Sequence, residues 1–127
     1  MIWLMEQLCK IRELYRAIAR FEASFIEQHQ LSLNEGMLLC CLQQHGTSTA
    51  GQIAELLELT SSNTSKVIRA VEEKGLINRI LCKSDKRQMC FELSAEGRKK
   101  IKQIETNAIP LDLPLQHAFE QIAACHA

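Results

Sequence analysis

The 127 residues of the chain, 46% hydrophobic and 24% charged, suit one folded domain with a buried core and exclude a disordered chain. The formal net charge is zero, which at first argues against a nucleic-acid partner, but the charge is segregated. Residues 61–102 carry eleven Lys or Arg against five Asp or Glu, a local +6, whereas the rest of the chain carries four against ten.

From the N-terminus, Leu4, Leu8, Ile11, Tyr15, Ile18 and Phe25 step by three, four or seven, and Leu14 and Phe21 widen the stripe. That spacing predicts one amphipathic helix over residues 2–28. Its stripe has two readings: a helix that covers its own core, or one that partly packs against a second subunit. The opening Met-Ile-Trp-Leu-Met is cut off by Glu6 before it makes a signal-peptide core. No apolar run reaches the ~18 residues of a membrane span. The chain is therefore read as cytoplasmic, with no membrane partner, and its six cysteines as reduced.

Ser32-Leu-Asn-Glu35 is a capping box that opens a helix over residues 33–45. This helix is apolar almost all round, so Met37, Cys40 and Cys41 are expected in the core with Leu38, Leu39 and Leu42. Gly46 is placed to end it. Thr49-x-x-Gln52 is a second capping box, and the short helix behind it turns Ile53, Ala54, Leu56 and Leu57 inward. Glu58-Leu59 makes a tight turn, Thr60 caps the next helix, and Gly75 stops that one after residue 74. Two short helices with such a turn form a helix-turn-helix.

In the second of them Thr64, Val67, Ile68 and Val71 form the inward stripe. Ser61, Ser62, Asn63, Ser65, Lys66 and Arg69 then point outward. Small hydroxyls and an amide can approach base edges, and Lys66 and Arg69 can grip phosphate or guanine. The bland alternative is an ordinary solvated helix face. Against it, Glu72 and Glu73 occur only at the far end of the helix.

Residues 76–81 and 88–93 are β-prone runs of hairpin length. The tip between them carries Lys83, Lys86 and Arg87 with one acid, Asp85. Asp85 is expected to pair with Arg79 and stiffen the tip, leaving Arg87 to enter a minor groove. Cys82 and Cys90 flank the tip and are read as plain strand positions, although they could face one another across the hairpin. Ser94 opens a further helix through Ile101 and Ile104. Pro110 and Pro114 break the chain, and a last helix carries Leu115, Phe119 and Ile122 to about Cys125.

The order of these pieces resembles the MarR family of bacterial winged helix-turn-helix regulators. The most specific stretch is Gly75-Leu76-Ile77, then Arg79, then Asp85-Lys86-Arg87, then Leu93-Ser94-x-x-Gly97. The resemblance implies a mainly α fold with a small β-hairpin wing (α+β), a winged helix-turn-helix between N- and C-terminal dimerisation helices. The chain would be one domain: residues 32–94 bind DNA, and residues 2–30 and 95–125 dimerise. It also implies a homodimer that binds double-stranded DNA at a pseudo-palindromic operator, a repressor relieved by a small-molecule effector or an oxidant. The recognition-helix residues would be Ser61, Ser62, Asn63, Ser65, Lys66 and Arg69. Lys83, Lys86 and Arg87 would be the wing contacts, with Arg79 and Asp85 its structural pair. The last helix is shorter than is usual in the family. A winged-helix module that binds another protein is the alternative, but it has no need of a basic groove face and tip.

Some peroxide-sensing members carry a reactive cysteine near the start of the first helix, and Glu6-Gln7-Leu8-Cys9 is similar to that neighbourhood. Lys10 and Arg12 could lower the Cys9 thiol pKa. The tyrosines those sensors use on the second helix are missing, with Leu33 and Met37 in their place, so Cys9 is read as a buried or half-buried small hydrophobe. His29, His45, His117 and His126 lack metal-ligand spacing. No catalytic constellation or phosphate loop occurs, so no cofactor, metal or enzymatic activity is expected.

Overall fold

The computed structural model describes residues 3–126, with side chains through residue 122; Ile2 and the Cys125 and His126 side chains lie outside. The described residues form α1 (Trp3–His29), α2 (Leu33–His45), β1 (Ser48–Thr49), α3 (Ala50–Leu57), α4 (Ser61–Glu73), β2 (Ile77–Leu81), β3 (Met89–Leu93), α5 (Ala95–Thr106) and α6 (Leu113–His126). The chain divides into two compact units, residues 1–30 with 109–127, and residues 31–108. α5 falls in the second unit with the winged part.

In the first unit α1 packs against α6. Arg20 on α1 pairs with Asp112 at 2.7 Å, just ahead of α6. Ala17, Phe25 and Leu115 are buried, and the Phe25 ring lies 5.0 Å from that of His29. Leu14 and Phe21 of the predicted stripe are half-buried, but among the described residues Leu4, Leu8, Ile11, Tyr15 and Ile18 are exposed, as are Leu113, Phe119 and Ile122 on α6. Cys9, expected to be at least half-buried, is also exposed. Pro114 sits in the first turn of α6, where its missing N–H breaks no helical bond.

The second unit is built on α2. Its capping box forms as the sequence dictates: the Glu35 amide donates to Ser32 Oγ at 3.1 Å, and the Ser32 amide donates to Glu35 Oε1 at 2.7 Å. Leu38, Leu39 and Leu42 are buried. Met37 and Cys40, expected in the core, are exposed, and Cys41 is only half-buried. The helix has more apolar positions than this unit has surface to cover. Glu35 does a second job, since Lys74 at the end of α4 donates to both its carboxylate oxygens at 3.0 Å. Burial pushes the Glu35 pKa up, but the Ser32 amide and Lys74 outweigh it and hold the carboxyl below its usual range.

Gly46 ends α2 at φ +76°, where a side chain would be strained. The chain then makes β1, a two-residue strand that the sequence did not announce. It pairs with β3 (Ser48 opposite Phe91) and gives an antiparallel sheet of order β1-β3-β2. The second capping box, Thr49 with Gln52, starts α3. Ile53 is buried there, but Leu56 faces solvent, against expectation.

A knot of backbone contacts joins the base of the hairpin to α5. Ser94 Oγ donates to the Gly75 carbonyl at 2.7 Å, and the Ser94 amide donates to the Leu76 carbonyl at 3.0 Å. Ser94 Oγ also accepts the Gly97 amide at 3.0 Å, capping α5. A Cβ on Gly97 would fall inside the Leu76 carbonyl. The spaced Gly75-Leu76 and Ser94-x-x-Gly97 are thus one physical feature: the crossing of a strand entry and a helix start.

Candidate nucleic-acid interface

The rotation of α4 is fixed by what it buries. Thr64, Ile68 and Val71 are in the core, and Thr64 Oγ1 donates to the Thr60 carbonyl at 2.8 Å. Helical periodicity then turns Ser62, Lys66 and Arg69 (i, i+4, i+7) onto one outward face, with Ser61, Asn63 and Ser65 beside them. All six are exposed.

The wing is the β2–β3 hairpin, in register from Ile77 opposite Leu93 to Leu81 opposite Met89. Beyond the ladder the Cys82 amide donates to the Gln88 carbonyl, and the Gln88 amide to the Asp85 carbonyl, both at 3.0 Å. Asp85 stiffens the tip, but not through Arg79. Its Oδ1 accepts the Arg87 amide at 3.0 Å and Arg87 Nε at 3.2 Å. The Arg87 side chain nevertheless stays 92% exposed.

Arg79 is placed elsewhere because it sits opposite Phe91, well down the ladder. Its guanidinium forks onto Glu72 of α4, with Nη2 at 2.8 Å and Nε at 3.2 Å. It also lies 5.4 Å from the Phe91 ring centre, in cation–π contact. The Glu72 contact holds the guanidinium still more firmly protonated than usual. Arg79 therefore clamps the wing to α4. Ser65, Arg69, Glu72, Arg79, Met89 and Phe91 line an open groove of about 320 Å³ between the two.

The cations divide by employment. Lys74, Arg79 and Arg87 are in ion pairs. Among the described residues Lys66, Arg69, Lys83 and Lys86 make none, and each is exposed. Arg98, Lys100 and Lys102 on α5 are likewise without an ion pair.

The cysteines at the base of the tip correct the sequence reading. Cys82 and Cys90 are joined by a disulfide, not reduced at plain strand positions. The register explains it. Cys82 faces Gln88, so Cys90 lies two residues further along the same side of β3, diagonally across the pair. Their Cα atoms are 5.1 Å apart. Cys9 belongs to α1 in the other unit. Among the described residues no cluster of three or more His, Cys, Asp or Glu suited to a metal occurs, and no helix is long and apolar enough to cross a membrane.

Comparison with known proteins bears on this geometry. The model of the MarR family matches residues 31–89. A curated Bacillus subtilis (strain 168) protein, the uncharacterized HTH-type transcriptional regulator YpoP, is 32% identical over 99 residues, 78% of this chain and 68% of that protein. A MepR-like protein complexed with pseudoligands superposes with a TM-score of 0.74 at 16% identity, over 96% of this chain and 92% of its own. MepR of S. aureus in complex with DNA superposes with a TM-score of 0.62 at 23% identity, over 90% of each chain.

Proposed function

The chain belongs to the MarR family, whose members are transcriptional regulators and not enzymes, and from that premise we propose that it is a homodimeric, sequence-specific DNA-binding repressor of the cytoplasm. α4 lies in a major groove, where Ser61, Ser62, Asn63, Ser65, Lys66 and Arg69 meet bases and phosphates. The wing tip reaches the neighbouring backbone with Lys83 and Lys86, and Arg87 reads the width of the minor groove. Two protomers set two such units on a pseudo-palindrome with half-sites about 10 base pairs apart.

The observation that carries this reading is the split among the cations. Lys74 and Arg79, which hold the fold, are paired, whereas Lys66, Arg69, Lys83 and Lys86 stand exposed and, among the described residues, make no ion pair. A hydrated, unpaired cation on a convex element is what displaces condensed counterions from phosphate. The dimer is supported by the stripe Leu4, Leu8, Ile11, Tyr15 and Ile18, which is exposed among the described residues. The likeness to a protein complexed with pseudoligands supports a small-molecule effector. Such a ligand relieves repression only if it binds the DNA-incompetent state better.

The test is a fluorescence-anisotropy titration of DNA selected from a random pool, run at several salt concentrations. Arg87→Ala removes one exposed cation per protomer, two per dimer. The slope of log K against log salt should become shallower by about 1.8, from about 0.9 per phosphate contact. Sedimentation should show the dimer intact. An unchanged slope and affinity would remove the wing from the interface.

A further inference from the structure

Lys83, Lys86 and Arg87 all lie inside the loop that the Cys82–Cys90 bridge closes, and Lys83 directly follows a bridged residue. The last ladder pair is Leu81 with Met89. Past it, the Cys82–Gln88 and Gln88–Asp85 backbone bonds and the Asp85–Arg87 contact hold the tip. Every one of these sits at an exposed hairpin end, where fraying costs little. The bridge is the one covalent tie among them.

We propose that Cys82 and Cys90 form a thiol–disulfide switch that sets the order of the wing tip and, through it, the grip on DNA. The inference rests on the DNA-binding reading above. In the bridged state the three cations are held on a closed loop and meet phosphate with little further ordering. In the dithiol state the tip must be ordered on binding, which weakens the complex. Oxidation therefore strengthens binding.

The chemistry balances with a peroxide and a dithiol as co-reactants. One cysteine thiolate attacks the peroxide O–O bond, giving a sulfenic acid and releasing alkoxide or hydroxide, which takes up a proton as alcohol or water. The other thiolate attacks that sulfur, the S–S bond forms, and hydroxide leaves to take up a proton as water. A dithiol reverses the state by exchange. It supplies two electrons and two protons and ends as its own disulfide. Cys82 and Cys90 are only 3% and 6% exposed, so exchange waits on opening of the hairpin end. A cysteine pair of this kind in a cytosolic protein is more often a redox sensor than a permanent brace.

The experiment first compares the wild-type protein, oxidised and then reduced with dithiothreitol. Binding to a 30-base-pair duplex of random sequence is measured by anisotropy at low salt. Trypsin cleavage after Lys83, Lys86 and Arg87 is timed by mass spectrometry. The reduced protein should bind about tenfold more weakly and be cut at the tip markedly faster. The double variant Cys82→Ala/Cys90→Ala should match reduced wild type and ignore dithiothreitol, which excludes the remaining cysteines as the cause. Equal binding in both states overturns the switch, whether or not the cleavage rate changes. So does an oxidised protein in which mass spectrometry finds no Cys82–Cys90 bridge. Absence of DNA binding in both states overturns the DNA-binding reading and the switch with it, and is distinct from equal binding.

Discussion

Gly97→Ala tests the account of the hairpin–helix knot most sharply, because two physical effects predict opposite signs. Gly97 is the third residue of α5. Helix propensity alone says that alanine stabilises there by ~1 kcal/mol. The structure says otherwise. The new Cβ falls inside the Leu76 carbonyl oxygen, with the Leu93 side chain 3.4 Å away on another side. That carbonyl cannot swing aside cheaply, since it accepts the Ser94 amide at 3.0 Å. Overpacking of this kind costs ~1–3 kcal/mol, and the top of that range fits a backbone atom that has to move. The net is a loss of about 2 kcal/mol, or a fall of about 1 M in the urea midpoint at a slope near 2 kcal/mol/M. Far-UV circular dichroism at fixed protein concentration reads it, the concentration being held because the proposed dimer would couple to unfolding. A midpoint equal to or above wild type refutes the reasoning.

Three other outcomes follow from the same structure. Glu35→Gln should cost about 1–2 kcal/mol at pH 7, the scale of a charge-assisted hydrogen bond. Folding lowers the Glu35 pKa, so its contribution is present above the unfolded value of about 4.5 and is lost as pH falls through the folded one; the gap between thermal melts of the two proteins should shrink as pH is lowered below that unfolded value. Arg79→Met should leave helix content unchanged yet weaken DNA binding with every tip cation still in place, and unchanged affinity in an anisotropy titration would show that the Glu72 clamp does not set the wing. Iodoacetamide should modify exposed Cys9 and Cys40 before Cys41, whose thiol burial, and next Cys40, push up; mass spectrometry that finds Cys41 first would contradict the packing of α2.

What was legible in the sequence is whatever is decided within a few residues of itself. The capping boxes at Ser32 and Thr49 announce their helices because donor and acceptor are three residues apart. The inward stripe of α4 is legible for the same reason, and with it the outward face. Partners chosen by tertiary register were not. Asp85 is expected to pair with Arg79 because both lie on one hairpin, although strand pairing sets Arg79 beside Phe91 and within reach of Glu72. The Cys82–Cys90 bridge depends on a diagonal that only the exact register creates. β1 is two residues long, too short for any period to show. Cys40 and Met37 were misplaced because an apolar residue does not say whether its own chain supplies a neighbour.

The neutrality of the whole chain is compatible with a phosphate-binding face because ion pairing is local. Within the basic stretch Glu72 is taken by Arg79, Asp85 by Arg87 and Glu96 by Lys99. These pairs neutralise acids that would otherwise repel DNA, and two of them also fix the wing. The Arg87 pair differs in kind: its cation stays 92% exposed and can meet phosphate while Asp85 keeps it in place. Acids elsewhere in the chain act through water and salt, where a charge fades over a screening length of ~8 Å. A phosphate in contact with Lys66 or Lys83 therefore responds to those cations and their immediate neighbours, not to the chain's total. Net charge predicts how the protein behaves as a particle, and the pairing pattern predicts what one of its faces binds.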